Sequence, residues 1–467
     1  MITVRIFRQY IPLTLIILAI IETLVLLSAP YVGTELRFLG IQEESIAEYI
    51  GGDVFPRAVL FTLVIGISMT SMGLYQRRLN TTVSGHSVRI VVSFLLAMIA
   101  MSLVFYVFPT LYLGRGIIGL AFLIGFLGVV ATRAIFFKIT DNETLKRRVL
   151  ILGTGTKAST LIDVHQNKLQ RGFTILGYVP LNGEHRIIAD NEIIPKDSTL
   201  AKISNRLKID EIVVAVDDRR KNFPLDELLD CKMRGIEVVD LQTFFVRETG
   251  KIKLDLLHPS WLIYSDGFGQ SAIQDYTKRS FDVFSSLLLL AITFPIMILT
   301  VIAIWLEDRG PIFFRQTRIG LDSNLFQVIK FRSMRVDAEG DGKARWAQKN
   351  DSRITKVGSF IRKVRIDELP QIFNVLKGDM SFVGPRPERP EFVEQLSKNI
   401  PYFNERHRVR PGITGWAQIC YPYGASEKDA FEKLQYDLYY AKHHNIFLDS
   451  TILLQTVEVI LFGKGAR

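Results

Sequence analysis

Four long apolar runs, at residues 11–29, 56–75, 90–113 and 116–137, occupy the first third of the chain. Each reaches the roughly 17–25 residues that an α-helix needs to cross ~30 Å of hydrocarbon. The first exceeds the ~7–15 residues of a signal-peptide core and three more follow it, so it reads as a retained helix. Basic residues flank the series: Arg5 and Arg8 before it, Arg77, Arg78 and Arg89 in the second connection, and Lys138, Lys146, Arg147 and Arg148 after it. The first connection is acidic, with Glu35, Glu43, Glu44, Glu48 and Asp53 against Arg37. Excess Lys/Arg marks the cytoplasmic side, so both ends of a four-span unit at 1–145 are expected there. Glu22 lies inside the first run, either as a functional group or as a polar contact between helices, and receives no role.

From 146 to about 265 the pattern changes to short β-branched strands alternating with helices. Strands are expected at 148–153, 174–179, 211–216 and 236–240, with a helix at 224–233. This predicts a parallel α/β unit of Rossmann-like type. The first strand runs into Gly153-Thr-Gly155-Thr-Lys-Ala158, a turn that suits a pyrophosphate at a helix start, which makes Gly153 and Gly155 weak cofactor-binding candidates. A dinucleotide site also expects an acid after the second strand, and the chain reads Tyr178-Val-Pro-Leu there. A scaffold without a cofactor is the competing reading.

A fifth apolar run, 283–306, carries no charge, yet Lys278 and Arg279 precede it and Arg309, Arg315 and Arg318 follow. Two basic flanks argue against a crossing. Pro295 lies in mid-run, where it removes a helical hydrogen bond. A re-entrant helix at 279–306 meets both observations; a fifth span kinked at proline is the alternative.

Composition narrows the class. The 467 residues are 48% hydrophobic and 22% charged with net charge +10, and mean hydropathy is +0.21. That excludes disorder and fits a basic membrane protein. Cys231 and Cys420 are the two cysteines, which excludes a disulfide framework, and the adjacent His443-His444 pair lacks zinc-ligand spacing.

Chemistry concentrates after residue 307. Lys330-Phe-Arg332-Ser-Met places two cations on a strand-like stretch, facing either lipid head groups or a phosphate-rich substrate. In Arg365-Ile-Asp367-Glu368-Leu-Pro370 a helix is expected to begin at Asp367 or Glu368, which favours ionised carboxylates. They could share a divalent metal, or one could attack phosphorus. A plain N-capping pair explains the spacing equally. Gly384-Pro385-Arg386-Pro387 and Arg410-Pro-Gly412-Ile-Thr-Gly415-Trp416 are rigid turns, each fixing an arginine.

The strings KFRSM, RIDELPQIFNVLKGDMSFVGPRP and VRPGITGWAQI resemble the monotopic phosphoglycosyl transferases, over about 275–467. The preceding spans and α/β unit are similar to the large members of that family. The resemblance implies a membrane multi-domain protein: a four-helix transmembrane unit, a Rossmann-like α/β domain, and a re-entrant helix with an α+β monotopic catalytic domain. It implies transfer of sugar-1-phosphate from a UDP-sugar to undecaprenyl phosphate with release of UMP, using Mg²⁺, as the initiating step of exopolysaccharide or related glycan synthesis. It places the enzyme in the bacterial inner membrane, catalytic domain toward the cytoplasm. Inner-membrane lipids and a second copy of the chain are further expected partners; nucleic acid is not.

Carried over by residue, the resemblance makes Asp367 the nucleophile and Glu368 its metal-binding neighbour. Lys330 and Arg332 would hold phosphates; Arg386, between Pro385 and Pro387, would meet the nucleotide, with Arg410 as a further substrate-binding candidate. Two departures stand out. Phe294-Pro295 replaces the family's Ser-Pro break, and Ile419-Cys-Tyr-Pro-Tyr-Gly-Ala replaces an Asn-Gly-Arg-Asn type segment. Glucose or galactose is the expected sugar, by resemblance to large members. A nucleotide-sugar dehydratase is disfavoured because the chain contains no Tyr-x-x-x-Lys, and a silent regulator because it would not need both carboxylates.

Overall fold

The computed structural model of the chain describes residues 3–6, 9–39, 52–75, 83–140, 146–162, 172–181, 183–220, 223–257, 261, 269, 272–336, 338, 353–421, 424 and 426–461. Arg8, Glu43, Glu44, Glu48, Arg77, Arg78, Pro422, Tyr423 and Ala425, used in the sequence reading, lie outside them. The chain divides into two compact units, Met1–Thr249 and Gly250–Arg467.

The first unit opens with a hairpin, β1 (Thr3–Ile6) and β2 (Gln9–Pro12), followed by α1 (Leu13–Arg37), α2 (Val54–Ser71), α3 (Val83–Val107) and α4 (Arg115–Thr140). All four helices are long and apolar enough to cross a membrane. Their outward faces carry exposed Ile20, Leu24, Leu103 and Ile135, as a lipid-facing surface requires, while Leu26, Phe61, Ile65, Phe94 and Phe122 fill the inside. A Cβ added at Gly33 would stand 3.2 Å from the Ala121 nitrogen, so the small residue sets the close approach of α1 to α4. Glu22 proves to be an interhelical contact. It is buried against Arg133 of α4 at 2.7 Å and accepts from the Tyr75 hydroxyl at 2.6 Å.

The α/β part follows: β3 (Arg147–Leu152), α5 (Thr156–Ser159), β4 (Phe173–Val179), α6 (Leu200–Leu207), β5 (Glu211–Val214), α7 (Leu225–Met233), β6 (Glu237–Asp240) and α8 (Leu241–Thr249). The four strands are parallel in the order β4-β3-β5-β6, with Val149 opposite Glu211 and Leu152 opposite Val214. Leu150, Leu152, Ile212 and Val214 pack beneath Leu200, Ile203 and Leu228. All four strands expected from the pattern are present. The unit ends earlier than expected, however. Residues 250–257, assigned by pattern to the α/β unit, pair with the second unit: Ile252 donates to the Gln435 carbonyl at 3.0 Å, and the Trp416 indole donates to the Gly250 carbonyl at 3.0 Å.

The second unit is α+β. Its first long element, α9 (Ala272–Asp308), extends the expected 279–306 at both ends and continues helically through Pro295. Leu288, Ile292 and Leu299 are exposed along it, whereas Met297 and Ile304 join Phe331 and Ile361 in a core. A hydroxyl does lie at the proline, one position earlier than the family pattern, since Thr293 Oγ1 donates to the Leu289 carbonyl at 2.7 Å. Both ends of α9 are tied into this unit: Arg279 bonds the Val375 carbonyl, while Glu307 accepts from the Lys356 nitrogen and Asp308 pairs with Arg332.

Beyond α9 come the antiparallel pair β7 (Phe313–Ile319) and β8 (Leu325–Phe331), then α10 (Lys356–Lys363) and α11 (Gln371–Lys377). Strand β9 (Ser381–Val383) pairs in parallel with β10 (Gly412–Thr414), α12 (Pro390–Asn399) lying between them in sequence. Helices α13 (Trp416–Cys420), α14 (Glu427–His443) and α15 (Ile446–Leu461) close the unit.

Candidate active site

The two carboxylates sit ahead of α11, in a 3-10 turn at Ile366–Glu368. The expected helix start at Asp367 or Glu368 is thus corrected to Gln371. Pro370 has no N–H to give to Ile366, so the chain closes tighter bonds instead, with Leu369 N donating to the Ile366 carbonyl and Ile372 N to that of Leu369. Arg365 enters this turn at φ 61°, a left-handed conformation uncommon for a side-chain-bearing residue.

Neighbouring in sequence, the carboxylates differ in surroundings. Glu368 Oε1 draws Arg386 Nη2 at 2.8 Å, Lys330 Nζ at 3.3 Å and Arg365 Nη1 at 3.6 Å. Burial would raise its pKa, but Arg386, Lys330 and Arg365 together hold it well below the usual carboxylate range. Asp367 is pushed up instead, by burial first and the Glu368 charge second, against the pull of Lys330, Arg365 and Arg362. The neighbouring carboxyls are therefore shifted in opposite directions. Asp367 Oδ1 is buried and accepts no hydrogen bond among the described residues. Burial also lowers the Lys330 ammonium, which Glu368 partly opposes.

A cavity of about 1070 Å³ opens over this cluster. Leu288, Leu289 and Ile292 of α9 line it together with Lys330, Asp367, Glu368, Arg386, Tyr421, Lys433 and Asp437. One space is therefore lined by both apolar and charged groups.

The glycines of the two rigid turns are explained by contact. A Cβ on Gly384 would meet the Arg410 carbonyl at 2.2 Å, and one on Gly415 would meet the Gly384 carbonyl at 2.2 Å. The turns press backbone against backbone, which aims Arg386 at Glu368. Arg410 contributes its carbonyl to that contact and does not line the cavity; Pro385 and Pro387 shape the turn without lining it. Arg332 reaches the cavity wall but is bonded to Asp308, with Nη1 buried and unpartnered among the described residues. A Cβ at Gly310 would collide with that guanidinium.

Sequence reasoning passed over Arg365 as a site residue, although it stands two positions before Asp367. It also missed Arg406, which donates to the Arg386 carbonyl and pairs with buried Asp437, both at 2.8 Å. No spacing signal could have joined residues 386, 406 and 437.

The glycine turn at Gly153 is filled by the chain itself. Asp217 accepts from the Thr156 and Lys157 nitrogens, each at 2.8 Å, and Glu184 from the Thr154 nitrogen at 2.9 Å. A Cβ on Gly155 would fall 2.1 Å from Asp217 Oδ2. Gly155 thus makes room for carboxylates of this protein, whereas a Cβ on Gly153 would meet the Ala215 carbonyl at 2.6 Å.

Residues 273–463 match the bacterial sugar transferase family and residues 70–221 a CoA-binding domain family. An Aeromonas hydrophila UDP-N-acetylgalactosamine-undecaprenyl-phosphate N-acetylgalactosaminephosphotransferase is 42% identical over 51% of this chain and 56% of its own length. A Komagataeibacter xylinus undecaprenyl-phosphate glucose phosphotransferase is 32% identical over 70% and 61% respectively, so the chain spans under two thirds of either relative. A Klebsiella pneumoniae UDP-glucose:undecaprenyl-phosphate glucose-1-phosphate transferase is 35% identical over 69% of both chains. With its carboxylate pair, arginine turns and membrane helix accounted for in one unit, the chain belongs to the bacterial sugar transferase family.

Proposed function

We propose that this membrane protein transfers a sugar-1-phosphate from a UDP-sugar to undecaprenyl phosphate at the cytoplasmic face of the bacterial inner membrane, beginning synthesis of an exopolysaccharide or related glycan. The observation that carries the reading is a buried Asp367 oxygen with no partner among the described residues, lining a cavity shared by apolar and cationic side chains. Relatives whose names state undecaprenyl phosphate and a UDP-sugar support the substrate classes.

In this mechanism Asp367, once deprotonated, attacks the β-phosphorus of the donor. A carboxyl–phosphorus bond forms, the phosphoanhydride breaks, and UMP leaves with the bond's electron pair. Lys330 and Arg386 offset the charge that develops on the phosphoryl oxygens. The phosphate of undecaprenyl phosphate, reaching in along the α9 wall, then attacks the same phosphorus and releases Asp367. Dividing the transfer lets a soluble and a lipid substrate use one site in turn.

Adjacent carboxylates, one with an unsatisfied buried oxygen, fit a Mg²⁺ ion, which commonly takes one or two carboxylates plus substrate phosphates. Asp367 and Glu368 would hold it, and when bound it would supply charge neutralisation on the diphosphate.

Full-length protein in nanodiscs, given UDP-glucose, UDP-galactose or UDP-N-acetylgalactosamine without lipid, should release about one UMP per site, and ping-pong kinetics should follow with lipid. Sequential kinetics would remove the covalent step. For topology, cysteines placed near Lys278, at exposed Ile273 or Tyr276, and near Arg309 should label from the same side; labelling from opposite sides would make α9 a crossing helix.

A further inference from the structure

Position alone assigns Lys278 and Arg279 to the basic flank of α9, where such residues commonly face anionic head groups. Their side chains point into the protein. Arg279 donates through Nη1 to the Val375 carbonyl at 2.5 Å and through Nη2 to the Leu376 carbonyl at 2.6 Å. These are carbonyls of the last turn of α11, at the negative end of its dipole, and the Val375 carbonyl also accepts from the cap residue Gly378 at 3.0 Å. The opposite end of α11 follows directly on the Asp367–Glu368 turn.

Lys278, only 12% exposed, gives its ammonium to Asp449 Oδ2 at 2.7 Å and to the Val383 carbonyl at 3.2 Å. The Tyr440 hydroxyl lies 2.8 Å from that same carbonyl and 2.7 Å from Asp449 Oδ1, donating to one at a time. One turn along α9, Asp282 Oδ1 accepts from Ser381 Oγ at 2.9 Å and from Phe382 N at 3.0 Å. All three residues of β9 are therefore held by this network, and β9 runs directly into Gly384 and the Arg386 turn. Asp449 is fully buried and Asp282 nearly so, beyond the reach of lipid.

We infer that Lys278, Arg279 and Asp282, together with Asp449 and Tyr440, form a positioning clamp by which the membrane helix sets the Asp367–Glu368 turn and Arg386 in register with each other. The inference rests on the proposed transferase reading and deepens it. A displacement of ~1 Å in a catalytic constellation can cost ~10²-fold in rate, so a clamp remote from substrate is expected to act on kcat more than on KM.

The test uses the full-length protein in nanodiscs, with Lys278→Met, Asp449→Asn, the double variant, Tyr440→Phe and Lys278→Arg. Each of the first two should lower kcat ~10–100-fold with donor KM within about threefold. The double variant should be no slower than the slower single variant, since both break one contact. Lys278→Arg keeps the charge but not the geometry and should also lose turnover. Tyr440→Phe, which removes one oxygen from a retained shape, should lose ~3–10-fold in turnover while still folding, its melting temperature lowered by a few degrees at most, and decides the matter if Asp449→Asn does not fold. Wild-type turnover in Tyr440→Phe, or full activity in Lys278→Arg beside a silent Asp449→Asn, would overturn the clamp and leave Lys278 as a head-group anchor. A wild-type protein that releases no UMP from any UDP-sugar would defeat the transferase reading itself, a result distinct from normal turnover with silent clamp variants.

Discussion

The turn at Gly153 and the turn at Asp367 both gather carboxylates where backbone N–H groups or cations collect, and they end in opposite states. At Gly153 the donors are spent: Asp217 and Glu184 satisfy three backbone nitrogens, and Gly155 makes space for them. At Asp367 the accounts stay open. Glu368 absorbs three cations, and its neighbour keeps a buried oxygen without a partner among the described residues, beside a large cavity. A glycine-rich turn is thus weak information about a ligand until its polar groups have been followed to their partners.

The largest effect that tests this contrast is loss of the open carboxylate. Asp367→Asn should cut turnover at least ~10³-fold, read as UMP release and lipid-linked product. A near-normal rate would put the reaction elsewhere. Next, Arg386→Ala should cost roughly 10²-fold, because it removes one fixed cation from the phosphoryl site. The pH profile of kcat/KM should rise as pH climbs through the elevated range of Asp367, whose proton must leave before attack.

Stability should respond with opposite signs at the two neighbouring positions. Asp367 binds its proton more tightly folded than unfolded, so its ionisation opposes folding as pH rises past its ordinary value. Glu368 has a depressed pKa, so its contribution is present above the unfolded value and is lost as pH falls through the folded one. At neutral pH, Asp367→Asn should therefore melt higher and Glu368→Gln lower, by about 2–4 °C each. Melting shifts of the same sign would show that the pair shares one environment. Smallest of all, Asp217→Asn should leave turnover within twofold while loosening the α/β part by ~1 kcal/mol, as loss of a helix-cap acceptor does. Likewise, a chain beginning at Gly250, which keeps the 250–257 contacts with Gln435 and Trp416, should retain turnover. Inactivity of that folded piece, or a rise in wild-type turnover on adding a dinucleotide, would return a catalytic role to the first unit.

What the sequence by itself determined is what local patterning encodes. Apolar runs specified the long apolar helices, β-branched alternation specified the four parallel strands, and the motif strings specified the family. These signals are read within about twenty residues of chain, so distance in space does not blur them. The tertiary structure alone decided which charges meet. It turned Arg332 toward Asp308 and put the Arg410 backbone, rather than its guanidinium, into the turn contact. It brought Arg406 beneath Arg386, closed the Gly153 turn with Asp217, and drew Lys278 onto Asp449. Each of these pairs joins residues 20 to 171 positions apart or swaps a side chain for a backbone group. Their energies depend on burial and direction, which a linear pattern does not carry.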